Sequence, residues 1–228
     1  MRQYSFVEPT FGRRSAQLAI SQSLYDANAF NIQNWKNGFS NKHEMLPETV
    51  SAFLKLLDDL RIDFCIVGGI AYLAYVQDRN TKDLDILISV EELERVASYL
   101  IVIGEDAKFV NAEFEGLRID FLKISNSLFD FIKTNETKIY EFAEGSYSTA
   151  TVAGLVLMRF DAIIDLYQKG NFNKALRYEN DLQFLILNYE IEWANVWRVS
   201  KRFFTAAQIA EFQKMVANWQ KPRTNPFA

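Results

Sequence analysis

Apolar positions recur along this chain at two periods, and the switches between them mark its organisation. Over residues 47–60, Val50, Phe53, Leu54 and Leu57 fall on one helical face, and Pro47 stands where a first turn accepts proline. Residues 63–67 form a short apolar run that ends at Gly68-Gly69, which predicts a buried strand followed by a helix over 70–76. In 83–90, acids alternate with aliphatics before an all-apolar end, again a strand. A helix over 91–100 opens with acidic residues in its first turn, as the helix dipole prefers. Residues 108–114 and 117–124 read as strands joined at Glu115-Gly116, a hairpin signal. Beyond 125 the spacing is helical, over 127–133, 152–167, 174–188 and 206–219. Leu18, Ala19, Leu24 and Tyr25 give 15–28 a helical pattern as well. The expected organisation is a helical arm (1–46), an α/β core (47–125) and a helical C-terminal domain (126–228).

Composition narrows the chemistry. The 228 residues are 49% hydrophobic and 24% charged, the balance of a globular protein. The longest apolar run, 150–158, is too short for a membrane span, and the first 14 residues lack an apolar signal segment. No membrane partner and a cytoplasmic location are therefore expected. One cysteine, Cys65, excludes an internal disulfide, and its apolar surroundings predict a buried, inert thiol. One histidine, His43, leaves too few soft ligands for a zinc site and only a single base for Ser-His or Cys-His chemistry. Carboxylates and hard cations remain as the catalytic groups.

Charge is unevenly distributed. Residues 47–190 carry 14 Lys/Arg against 24 Asp/Glu, so the middle is −10, whereas the two flanks together are +6. An acidic centre suits a site that needs cations.

Three features follow in order. A strand-like Phe64-Cys65-Ile66-Val67 leads into Gly68-Gly69 and Ile70-Ala71; then comes Asp83-Leu84-Asp85-Ile86; then Arg118-Ile119-Asp120-Phe121. In a strand, residues i and i+2 project from one face, so Asp83 and Asp85 point together while Leu84 and Ile86 enter the core. Two carboxylates this close repel unless a cation lies between them. If the strand of Asp120 lies beside theirs, three hard oxygen donors converge, a set suited to Mg²⁺ or Mn²⁺. Glycines at a strand-to-helix turn let the backbone approach a phosphate.

This order resembles the polymerase-β type nucleotidyltransferase superfamily, and Arg79-Asn80-Thr81-Lys82-Asp83-Leu84-Asp85 resembles its AbiEii-like branch, which includes toxins of toxin–antitoxin and phage-defence systems. The likeness spans about residues 47–190. That branch often carries Lys-Asp-x-x-Asp on a later helix; here Arg177-Tyr178-Glu179-Asn180-Asp181 matches it in part, with Arg for Lys and Tyr for the first Asp. The resemblance implies an α+β fold, a mixed sheet with flanking helices and a helical C-terminal half. It implies transfer of a nucleoside monophosphate from an NTP to an acceptor hydroxyl on RNA, a tRNA end, a protein or a small molecule. Asp83, Asp85 and Asp120 would be catalytic and metal-binding, and Gly68, Gly69, Arg79, Lys82 and Arg177 would hold the nucleotide. An antitoxin-like protein partner is a further implication. The alternative is a nucleotidyltransferase fold that binds nucleotide or protein without turnover.

Arg177 and Asp181, four apart, equally suit a surface ion pair. The segment from Trp197 to Phe204 interleaves aromatics with Arg198, Lys201 and Arg202, which fits either an RNA-holding face or core packing with solvated cations.

Overall fold

The structure is a computed structural model that describes residues 18–31, 45–76 and 81–221. Its centre is one seven-stranded mixed sheet of order β3-β4-β5-β2-β1-β7-β6. The strands are β1 (Phe64–Ile66), β2 (Leu84–Ile88), β3 (Ile101–Glu105), β4 (Phe109–Phe114), β5 (Leu117–Lys123), β6 (Thr137–Phe142) and β7 (Gly145–Ala150). Two neighbouring pairs are parallel, β2 with β5 and β1 with β7; the other four are antiparallel.

Helices surround this sheet. They are α1 (Ile20–Ala29), α2 (Leu46–Asp59), α3 (Gly68–Leu73), α4 (Val90–Val96), α5 (Ser127–Asn135), α6 (Val152–Gln168), α7 (Phe172–Asn188), α8 (Trp193–Ser200) and α9 (Ala206–Trp219). The α+β class expected from the sequence is the class observed. Phe53 of α2 packs on Phe114 and Phe121 of the sheet, with ring centroids 5.2 and 6.4 Å away. The C-terminal helices have an aromatic centre in which Phe160 stacks on Phe212 at 4.0 Å and on Trp197 at 5.7 Å.

Most helix starts carry their own oxygen acceptors, which satisfy amides that have no partner within the helix. Ser89, Asn126 and Thr151 accept from amides of the first turn, and Thr205 forms a capping box with Gln208. Helix α1 lacks such a residue. Instead Glu144, in the β6–β7 turn, accepts from the amides of Ile20 and Ser21 at 3.0 and 2.8 Å.

Two segments depart from the periodicity. The helix expected over 91–100 ends at Val96, passes through one 3₁₀ turn and becomes β3, whose Ile101, Val102 and Ile103 are all exposed. An edge strand with apolar residues facing both ways has no alternation to detect. The hairpin β6–β7 lies within the span expected to be helical. Its first strand reverses the usual pattern: Ile139 faces outward, while Lys138 lies over the Tyr75 ring at 4.8 Å. Through β7 this hairpin joins β1, so residues beyond 126 extend the same sheet. Among the described residues, no helix is long and apolar enough to cross a membrane.

Candidate active site

Asp85 is the centre of the site. It lies on β2 directly opposite Asp120 on β5, in a parallel ladder that also pairs Leu84 with Ile119 and Ile86 with Phe121. Residues paired across a ladder project from the same face, so the aliphatic partners enter the core and the two acids share the other side. Asp83, just before β2, is half-buried like the other two acids.

The glycine turn is shaped around Asp85. The Gly69 amide donates to Asp85 Oδ2 at 3.1 Å. Gly68 adopts φ +56°, and a Cβ on it would lie 1.9 Å from the same Oδ2. A Cβ on Gly69 would lie 2.0 Å from Thr81 Oγ1. The two glycines therefore make room for Asp85 and Thr81. Thr81 in turn donates to the backbone oxygen of Asp83 at 3.2 Å, steadying the approach to β2.

Electrostatics mark the cluster as short of positive charge. Burial, then the charges of Asp83 and Asp120, push the Asp85 carboxyl up to about 7; the Gly69 amide and Arg159 pull the other way. Asp120 is also raised, first by burial, with Asp83 adding to it. Its Oδ1 accepts from Asn111 Nδ2 at 2.7 Å, and that bond, Lys174 and Arg118 oppose the rise.

A buried cation acts on Asp85 through its charge. Arg159 of α6 is 7% exposed. Its guanidinium lies 4.5 Å from the Tyr72 ring of α3 and 4.0 Å from the Tyr178 ring of α7, and it pairs with Asp181 at 3.4 Å. Asp181 thus turns inward to Arg159 rather than outward to Arg177, because a desolvated cation gains more from a carboxylate than a hydrated one does.

The structure unites Gly68, Gly69, Asp83, Asp85 and Asp120 in one place. Lys82 is adjacent in sequence and exposed, and Arg177 is exposed on α7. Arg79 lies outside the described residues. Asn111, which no motif flagged, and Thr81, which the run from Arg79 to Asp85 included without a role, prove to be the direct partners of Asp120 and Asp83. In the basic C-terminal stretch, Trp197 and Phe204 pack on Phe160 and Arg202 lies over the Phe131 and Phe203 rings. Those aromatics therefore build the core. Cys65 is buried as expected, and burial pushes its thiol up to about 12.

The donor set fits a hard divalent cation: every ligand offered is a carboxylate oxygen, and Arg159, Lys174 and Arg118 do not offset the forces that raise Asp85 and Asp120. Among the described residues, no three acidic, imidazole or thiol groups close into a cage. A cation here would complete its shell with water and substrate oxygens, the habit of Mg²⁺.

No family model and no curated protein sequence matches the chain. Solved structures with a related architecture do exist. An antigenic nucleotidyltransferase-like protein from Paracoccidioides brasiliensis is 14% identical with a TM-score of 0.45, over 89% of this chain and 95% of that one. The antibiotic-resistance factor ANT(2″)-Ia matches twice. Its solution structure gives 13% identity and a TM-score of 0.42 over 75% of this chain and 94% of that one. Its complex with adenylyl-2″-tobramycin gives 13% and 0.40 over 73% and 92%. These are distant likenesses of architecture, and the chemistry rests on the side chains described above.

Proposed function

We propose that this protein is a metal-dependent nucleotidyltransferase that moves a nucleoside monophosphate from an NTP to an acceptor hydroxyl and releases pyrophosphate. The observation that carries this reading is the in-register pairing of Asp85 with Asp120 beside a glycine turn moulded to Asp85.

The acceptor oxygen attacks the α-phosphorus as the bond to the β-phosphate oxygen breaks. Bound Mg²⁺ or Mn²⁺ would supply charge stabilisation at the attacking and leaving oxygens. Asp83 and Asp85 hold the donor side, with Asp85 oriented by the Gly69 amide. Asp120 faces the acceptor. Asn111 occupies its Oδ1, so its Oδ2 is the atom that takes the acceptor's proton, and a raised pKa suits that task. Lys82, Arg79 and Arg177 are proposed partners of the triphosphate, and the charge of Arg159 favours the ionised form of Asp85. The more specific form of the proposal, an AbiEii-like toxin with an antitoxin partner, is supported by the run from Arg79 to Asp85 and by the partial match from Arg177 to Asp181.

The test is label transfer from α-³²P-labelled NTPs with Mg²⁺, offered total RNA and a set of small hydroxyl compounds. Transfer that disappears in Asp85→Asn and in Asp120→Asn supports the reading. NTP binding without transfer to any acceptor would favour a binding module.

A further inference from the structure

The ladder that aligns Asp85 with Asp120 continues outward. Asp120 pairs with Asn111 on β4, and Asn111 pairs with Gly104 on β3, so one row crosses four strands on one face. The adjacent row on that face is Arg118 on β5, Glu113 on β4 and Ile101 on β3. The rows are two residues apart along β4 and β5, and three along β3 where its register shifts, so they lie roughly 7 Å apart, about the span of one sugar ring.

This surface is open. Asn111 and Arg118 are exposed, and Glu113 is half-exposed. A Cβ on Gly104 would meet only Asn111 Oδ1, at 3.8 Å. Among the described residues, neither Arg118 nor Glu113 forms an ion pair, whereas Lys108 is held by Asp161 and Lys123 by Glu105. A carboxamide, a carboxylate and a guanidinium thus stand in a patch beside the acid that faces the acceptor.

Resting on the function proposed above, we propose that this shelf is the acceptor subsite, and that it takes a polyhydroxylated small molecule, neutral or cationic, rather than a nucleic acid. Glu113 accepts from hydroxyl or ammonium groups, Arg118 donates to hydroxyl oxygens, and Asn111 acts as a positioning residue that fixes Asp120 while bordering the bound molecule. Polyanions are recognised by several cations along their track. Here the two rows carry three carboxylates (Asp85, Asp120 and Glu113) against Arg118 alone. The floor at Gly104 leaves room that a larger residue would fill.

The full chain is tested by saturation-transfer NMR with three probes: glucosamine, myo-inositol and a twelve-nucleotide oligoribonucleotide, each measured both with and without a non-hydrolysable ATP analogue and Mg²⁺. Gly104→Leu and the pair Glu113→Gln/Arg118→Gln are compared with the native chain, with folding checked by circular dichroism. The expected result is binding of glucosamine or inositol that weakens at least tenfold in both variants, while affinity for the ATP analogue is unchanged. Three results would overturn the inference: neither polyol binding, polyol binding equal in the variants, or oligoribonucleotide binding that depends on Arg118. Failure of the ATP analogue itself to bind would strike the nucleotidyltransferase reading separately, because the polyol arm is read without it as well.

Discussion

Replacing Gly68 by alanine tests the link between the glycine turn and the carboxylates. Two costs arise. At φ +56° a residue with a Cβ pays roughly 1–2 kcal/mol, since the left-handed region crowds Cβ against the backbone. The new methyl would also lie 1.9 Å from Asp85 Oδ2 and 2.3 Å from its Cγ, so the carboxylate must rotate away and the Gly69 hydrogen bond is lost. That adds about 1 kcal/mol. A loss of about 2–3 kcal/mol lowers the melting temperature by roughly 4–12 °C in a chain of this size. Gly170 supplies the control: it has φ +69° but nothing within 4 Å of its would-be Cβ. Gly170→Ala should pay the backbone cost alone. The decisive readout is the rise in melting temperature on adding MgATP. A ligand at 100 times its dissociation constant contributes about 2.7 kcal/mol. The native chain and Gly170→Ala should show that rise, and Gly68→Ala should not. If Gly68→Ala melts like Gly170→Ala and keeps the full MgATP rise, the glycine does not serve Asp85 and the reasoning fails.

Three further outcomes are expected. The Asp85 carboxyl, at about 7 in the folded chain, sits above the value near 4 of an unfolded aspartate, so the folded state holds the extra proton between those limits. Stability of the cation-free protein should therefore fall as pH rises from about 4 to about 7; Asp85→Asn should flatten this fall, and urea midpoints at pH 5 and pH 8 would reveal an unchanged slope if the assignment is wrong. Arg159→Met should cost about 2–4 kcal/mol by chemical denaturation, because it breaks the buried Arg159–Asp181 pair; a loss below 1 kcal/mol would show that the pair is idle. Glu144→Ala removes the acceptor for two α1 amides and should cost about 1 kcal/mol, with faster hydrogen exchange confined to α1; uniform exchange changes would count against a local role.

Asp85 and Asp120 were legible in the sequence because each stands between apolar residues whose burial dictates its direction. Leu84 and Ile86 are fully buried, as are Ile119 and Phe121, so Asp85 and Asp120 had to face the other way. That β2 and β5 are neighbours was not legible, since pairing between separated strands depends on the whole sheet. Asn111 was missed for the same reason: its contact with Asp120 exists only through the β4–β5 register. The glycine pair was visible, but its close fit to Asp85, whose Oδ2 accepts from the Gly69 amide, was not. Arg159 draws its significance from rings on α3 and α7 that only the tertiary packing brings to it. The pattern of β6 misled because Lys138, not Ile139, finds aromatic partners.

The parallel ladder between β2 and β5 has a consequence for how this protein could be altered. Side-by-side strands lie about 4.8 Å apart, whatever the length of the chain that links them. The spacing of the two acids is therefore inherited from backbone hydrogen bonding and not from the β3–β4 excursion between them. Residues inserted at the Asp106-Ala107 turn would lengthen that excursion without moving either carboxylate. The chain can thus remodel the outer strands, and whatever they contact, while the geometry between Asp85 and Asp120 stays constant.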